Sequence, residues 1–337
     1  MRHRLHRTPL VPLALALALA ASACGGADGP DRAAIGRAET STSPSTPTST
    51  VAAAPDTTVP PPPTGPATAL ISPSGIVVPV VSTAGDSSVV RTPCNATATL
   101  KRGTPVGAPA VVLDPGHGGA EAGAVSPAGL AESGINLAVA RQAQAALEAQ
   151  GFATLLTRTG DYELTLPTRS EIARDVNPRA FVSVHHNADP DGPHDGPGSE
   201  TYYQIGSADS KRLAGLIYEE VVKALSAYNV AWVGDRDAGA KYRPSTTGPG
   251  DYYAMLRQPG KVVSVIAELA FVSNPAEAEL VSRPDVQKVE GQALARGIVR
   301  YLTTADPGSG FTTPYPRVDP PAPPSTGPPR PCRDPQL

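Results

Sequence analysis

Val111-Val-Leu-Asp-Pro-Gly-His117-Gly-Gly119 decides how this chain reads. An apolar run of strand character ends in a glycine-rich turn, and that turn carries a histidine. Histidine is scarce here, occurring at positions 3, 6, 117, 185, 186 and 194. The first two fall in a basic, apolar leader, and three of the other four stand at the ends of expected core strands. Most of the functional argument therefore rests on His117 and the His185-His186 doublet.

Working outward, strand and helix patterns alternate from about residue 108, the mark of an α/β layered fold. Val111–Leu113 reads as a strand, Ile135–Gln150 as a helix stopped by Gly151, and Phe152–Thr157 as the next strand. Leu166–Val176 is a second helix. Ala180–His185 is a continuous apolar strand, the pattern of burial on both faces. Glu200–Ile205 follows as a strand and Ser207–Tyr228 as a long amphipathic helix. After a Gly/Pro-rich loop, Gly234–Asp251, come a buried strand over Val262–Leu269 and a closing helix over Asp285–Leu302. That helix carries Val286, Val289, Leu294, Ile298 and Leu302 on one stripe.

Four polar residues stand where this pattern calls for apolar core or its edge: His117, Glu132, His185 and Glu268. Burying such groups without partners is costly, so each needs a reason. In open α/β sheets the carboxyl ends of the strands converge on one crevice, where residues distant in sequence meet. Two imidazoles and a carboxylate make a catalytic Zn²⁺ set with a fourth position left for water, and Glu268 is then placed as general base. Each residue also has an ordinary structural reading. A histidine ending a strand is commonly a hydrogen-bonded core residue, an acid at position 132 suits a helix N-terminus, and Glu268 can pair with an arginine. Residue types and spacing alone leave both readings open.

Length and composition bound the rest. The chain has 337 residues and 39 prolines, and one domain of about 200 residues fits better than two. Residues 1–23 read as an export signal, with Arg2, Arg4 and Arg7, an apolar run from Leu10 to Ala20, and Ala21-Ser22-Ala23 for cleavage. Cys24-Gly-Gly then resembles a bacterial lipoprotein signal, in which the cysteine receives the lipid anchor. The other reading is ordinary secretion, with Cys24 discarded or free. Residues 24–70 form a disordered Pro/Ser/Thr/Ala-rich tether, 71–107 a short β element, 108–304 the α/β domain, and 305–337 a proline-rich tail. Loss of the leader leaves 25 Lys+Arg against 31 Asp+Glu, a formal charge of −6. Nothing in that balance points to nucleic acid. Cys94 and Cys332 are expected to pair in an oxidising compartment, the alternative being two free thiols. Neither has the CxxC spacing of a zinc-thiolate site.

Four segments together resemble the zinc-dependent N-acetylmuramoyl-L-alanine amidases of the amidase-3 group: Val112-Leu-Asp-Pro-Gly-His117-Gly-Gly, Leu130-Ala-Glu132-Ser-Gly-Ile-Asn-Leu137, Phe181-Val-Ser-Val-His185-His-Asn-Ala188 and Ala267-Glu268-Leu-Ala-Phe-Val-Ser-Asn-Pro275. Leu155-Leu-Thr-Arg158 and Leu166-Pro-Thr-Arg169 are consistent with it. The resemblance covers about residues 109–303. It implies a twisted mixed β-sheet flanked by helices, zinc held by His117, Glu132 and His185, and Glu268 as catalytic acid/base. The implied reaction cuts the amide between N-acetylmuramic acid and L-alanine in peptidoglycan. His186 departs from the small or acidic residue common after the third ligand. Neighbouring strand residues face opposite ways, so only one of the doublet can join the site, and the motif selects His185.

Some relatives carry an inserted helix that plugs the site, and the short interval Asp189–Ala208 predicts none here. No repeated wall-binding module is visible, which leaves delivery to the tether. The loop Gly234–Asp251, with Asp235, Arg236, Asp237, Lys241, Tyr242 and Arg243, reads either as a contact for stem-peptide carboxylates or as a solvated surface loop. The expectation is an exported, envelope-side monomer, attached to the membrane only through a lipid at Cys24. Competing readings are a non-catalytic peptidoglycan-binding regulator and a zinc hydrolase acting on another amide.

Overall fold

The computed structural model describes residues 66–316 and 331–337. The expected signal, the expected lipidation site Cys24 and the expected tether as far as residue 65 lie outside the described residues; Ala69 and Leu70, expected at the end of the tether, belong instead to the first strand. The described residues open with five short strands, β1 (Ala69–Ile71), β2 (Val77–Ala84), β3 (Ser87–Arg91), β4 (Thr97–Leu100) and β5 (Thr104–Pro105). They form a separate antiparallel sheet in the order β4-β3-β2-β1-β5. Alternation gives this sheet two apolar faces. Ala69 and Val77 pack toward the main body, while Leu70, Ile76 and Val78 build a small cluster with Val90 and Leu100.

The main body follows as β6 (Val111–Pro115), α1 (Glu132–Glu148), β7 (Thr154–Leu156), α2 (Leu166–Val176), β8 (Ala180–Asn187), β9 (Gly192–Pro193), β10 (Glu200–Tyr203) and α3 (Ala208–Leu225). Then come β11 (Val233–Gly234), β12 (Ala240–Lys241), α4 (Ala254–Arg257), β13 (Ser264–Phe271), α5 (Pro275–Val281) and α6 (Pro284–Thr303). Six strands make a mixed sheet in the order β12-β10-β13-β8-β6-β7. Strands β7, β6, β8 and β13 are mutually parallel, and β10 runs antiparallel to β13. β9 and β11 pair separately.

Period-two alternation sorts the side chains of this sheet between two cores. Val111, Leu113, Val182, Val184, Val265 and Ala267 face α1, α3 and α6. Val112, Phe181 and Ile266 face the other way, packing with Ile172, Ala173 and Val176 of α2 and with Ala69 and Val77 of the small sheet. From one side to the other the layers are three helices, the mixed sheet, α2 with α4, and the five-stranded sheet.

Helix α1 starts at Glu132, three residues before its apolar periodicity begins. Ala131 supplies no side-chain cap. Instead the backbone N–H groups of Glu132 and Ser133 donate to the carbonyls of Ala124 and Ala122, at 2.9 and 3.0 Å, so tertiary structure satisfies donors that a sequence reading assigns to a capping side chain. The short helices α4 and α5 lie outside the expected elements. For α5 the local signal is Asn274-Pro275: the Asn274 side chain accepts from Ala276 N, and proline occupies the first turn.

The proline-rich tail is partly built into the fold. Ala240 N donates to Gly310 O and Thr312 N to Ala240 O, at 2.8 and 3.0 Å, so residues 310–312 extend the edge at β12. At the far end, Asp334 accepts from Thr92 Oγ1 and from Cys94 N, Leu337 packs against the small sheet, and Cys94 is bonded to Cys332.

Candidate metal centre

The turn after β6 is the first element of the site. His117 adopts φ +61°, a left-handed conformation unusual for a residue with a side chain. Two buried guanidinium groups hold it there. Arg158 donates to Pro115 O, Gly116 O and Ser133 O, and Arg169 donates to Pro115 O and His117 O, at 2.7 to 2.9 Å. Every carbonyl from 115 to 117 thus meets a cation. Asp114 balances that charge: it pairs with Arg169 at 2.7 Å and accepts from Thr157 and Ser183. Burial opposes ionisation of Asp114, but Arg169 and the two hydroxyl donors outweigh it and hold its carboxyl below the usual range. For Arg158 burial dominates, and with the neighbouring Arg169 charge it brings the guanidinium down to about 10.

Three of the residues singled out in the sequence converge above this turn. Ligand atoms of His117, Glu132 and His185 all lie within 4.8 Å of one another. His117 Nε2 is 3.2 Å from Glu132 Oε2, and His185 Nδ1 is 3.0 Å from Glu132 Oε1. The histidine side chains are 23% and 19% exposed and that of Glu132 only 4%, so the imidazoles face the opening while the carboxylate forms the floor. The Glu132 carboxylate is also held by Ala124 N, His186 N and Asn136 Nδ2, at 2.8, 3.1 and 3.1 Å. Burial raises its proton affinity, but hydrogen bonds from both histidines win, so it stays ionised. Burial likewise disfavours a charged His117, yet Glu121 and Glu132 raise it to about 9. Glu121, whose Oε1 is 3.3 Å from His117 Nδ1, is not among the residues the sequence singles out. Its position four residues on, within a loop, gives no pattern to read.

Glu268 is brought alongside by strand register. On parallel β13 it lies opposite His185 of β8, and on its other side opposite Glu200 of β10. All three share the sheet face that carries Phe181 and Ile266. Pairing is irregular after Glu268, where a bulge ends the regular ladder next to the site. Its Oε2 is buried without a hydrogen-bond partner. Burial, and then the charges of Glu132 and Glu200, raise its pKa well above the ordinary carboxylate range.

His186 points the other way, to the face of Val182 and Val184, where it is buried beside Asn136 and Glu290. This is the alternation expected of a strand, and it keeps the second imidazole of the doublet out of the donor cluster.

The loop Gly234–Asp251 is not solvated throughout: Asp235, Asp237 and Lys241 are buried. Lys241 is 1% exposed rather than solvated, and its ammonium donates to Glu200 Oε1 and Asp237 Oδ1. Glu200, Asp235 and Asp237 form a second buried acidic cluster with ligand atoms within 4.8 Å of one another, but the Lys241 ammonium already supplies it with a cation. Burial raises Glu200 to about 7 against the pull of Lys241. Glu200 also accepts from Asn187 and Tyr202. An acid opening the strand Glu-Thr-Tyr-Tyr was the available sequence signal for it. The neighbouring Arg236 and Arg243 stack on Tyr315 and Tyr252, each at 3.8 Å.

The donor set fits a zinc-type ion. It combines two imidazoles with one carboxylate that is ionised and buried. Residues 111–300 match the family model described as N-acetylmuramoyl-L-alanine amidase. The chain is similar to the uncharacterized protein YqiI of Bacillus subtilis, 32% identical over 199 residues, covering 58% of this chain and 86% of that one. It is also similar to N-acetylmuramoyl-L-alanine amidase AmiC of Neisseria meningitidis, 29% identical over 226 residues, covering 58% of this chain and 53%, about half, of AmiC. Among solved structures, Cwp6 from Clostridium difficile aligns with TM-score 0.50 and 26% identity, covering 57% of this chain and 29% of that one.

Proposed function

Because the chain belongs to the N-acetylmuramoyl-L-alanine amidase family, we propose that it hydrolyses the amide between N-acetylmuramic acid and L-alanine in peptidoglycan, with zinc held by His117, Glu132 and His185. The observation that carries the reading is the meeting of these donors within 4.8 Å, next to a buried carboxylate oxygen that has no partner. When bound, the ion supplies Lewis acidity toward the scissile carbonyl and acidifies a water.

The remaining chemistry belongs to the protein. Glu268, in register with His185 and with an unpartnered carboxylate oxygen, takes a proton from the attacking water and delivers it to the amide nitrogen as the C–N bond breaks. The products are a carboxylate on the muramic acid and a free amino terminus on L-alanine. Arg158 and Arg169 keep the His117 turn in place throughout. The stem peptide is assigned to a cavity of about 310 Å³ lined by Tyr242, Arg243 and Thr313–Pro316. Tyr202 links this cavity to the site, since its ring lines the cavity and its hydroxyl donates to Glu200.

The leader pattern of residues 1–23 supports an envelope-side location for the domain, with Cys24 as its lipid-anchor site and the Pro/Ser/Thr/Ala-rich segment as its tether. No helix among the described residues is long and apolar enough to cross a membrane.

Mass spectrometry of a muramoyl-peptide digest tests the reading. Free L-alanyl peptide is expected, disappearing with EDTA and returning with zinc. Glu268→Gln should lower kcat by roughly 10²- to 10⁴-fold while leaving zinc content unchanged. Turnover that survives EDTA, or an unimpaired Glu268→Gln variant, contradicts the mechanism. Acetate release in place of peptide moves the activity to another amide.

A further inference from the structure

We infer that Asn136, His186 and Glu290 form a buried hydrogen-bonded strut that fixes the Glu132 carboxylate for metal binding, which makes His186 a positioning residue. The inference rests on the zinc reading of the site.

Asn136 stands one helical turn after Glu132 on α1, so the two side chains share a face. Its Nδ2 donates to Glu132 Oε1 at 3.1 Å and to Gly116 O at 3.3 Å. Both are pure acceptors, which turns Asn136 Oδ1 toward His186. The 2.8 Å contact between Oδ1 and His186 Nδ1 therefore requires that Nδ1 carry the hydrogen. At the other end of the ring, Nε2 lies 3.4 Å from Glu290 Oε1 of α6. Both side chains of this pair are 0% exposed.

Glu290 Oε2 is buried with no hydrogen-bond partner. A carboxyl group in that position costs free energy that an apolar residue would not, and no surface contact or helix cap accounts for it. What it does touch is the imidazole, whose orientation it sets from behind. The strut then runs from α6 through β8 to α1 and ends on the metal-facing carboxylate. The backbone N–H of His186 reinforces the same oxygen, Glu132 Oε1, at 3.1 Å. Side chains that orient a ligand in this way govern metal affinity by removing the wrong ligand conformers.

The test compares full-length wild type with His186→Ala, His186→Asn and Glu290→Leu, each stripped of metal and titrated with zinc against a chromophoric chelator. Apo melting curves and Co²⁺ absorption spectra accompany the titrations. His186→Ala should bind zinc roughly 10- to 100-fold more weakly, with an altered Co²⁺ spectrum. In His186→Asn the new side-chain amide nitrogen occupies the place of Nδ1 and restores the donor to Asn136, so that variant should recover most of the affinity. Glu290→Leu should fall between. If His186→Ala does not fold, the asparagine and leucine variants carry the comparison, and wild-type affinity in Glu290→Leu overturns the strut. So does a folded His186→Ala within about twofold of wild type, or His186→Asn no better than His186→Ala. Wild type that takes up no zinc refutes the zinc reading itself, and the strut with it.

Discussion

At residue scale, the site is built on a backbone turn before it is built on side chains. His117 sits in a left-handed conformation that costs on the order of 1–3 kcal/mol for a residue with a Cβ. The Arg158 and Arg169 guanidiniums offset this by binding the carbonyls on either side of it. Gly116 is required for a different reason: a Cβ there would lie 2.1 Å from His185 Cε1. Gly116→Ala should therefore displace the His185 ring while the protein stays folded. A catalytic loss of about 100-fold is expected, read as kcat/KM beside an unchanged far-UV spectrum. The histidine and its glycines were legible in the sequence. Asp114 was not assigned a role, because its partner Arg169 lies 55 residues away and only the folded sheet brings the two to 2.7 Å.

At element scale, strand alternation settles the His185-His186 doublet. One imidazole faces Glu132 and the other is buried against α6, which the period-two rule anticipates once the strand is recognised. The rule says nothing about what receives His186, since α6 begins almost a hundred residues later in the chain. Helix contact is tight where the strut crosses. A Cβ at Gly291 would come within 2.5 Å of Gln142 Cβ and 2.7 Å of Val139 O on α1. Gly291→Ala must push α1 and α6 apart and should destabilise by about 1–3 kcal/mol. Urea unfolding checks this, with a lowered midpoint and an unchanged slope expected. A neutral result would show that the helices can separate at no cost.

At the scale of the whole molecule, the five-stranded sheet and the C-terminal end are fastened together. Cys94 and Cys332 are 238 residues apart in sequence and joined by a disulfide, with Asp334 accepting from Thr92 and Cys94 N beside it. Replacing both cysteines by alanine should cost about 2–5 kcal/mol, seen as a lower Tm for the variant and for reduced wild type alike. An unchanged Tm would mean that the Asp334 contacts suffice. The sequence by itself determined the alternating α/β pattern and marked His117, Glu132, His185 and Glu268 as polar intrusions in it, while their roles came from the family resemblance. These signals are local, because apolar period and polar intrusion are written within ten residues of each other. Only the tertiary structure decided that the small β element is a full sheet against α2, that Lys241 is a buried counter-ion, and that residues 310–312 extend the β12 edge. It also decided that Glu290 stands behind His186. These depend on which segments meet across long stretches of chain, and a polar residue buried by such a meeting reads, in the sequence, the same as one left in water.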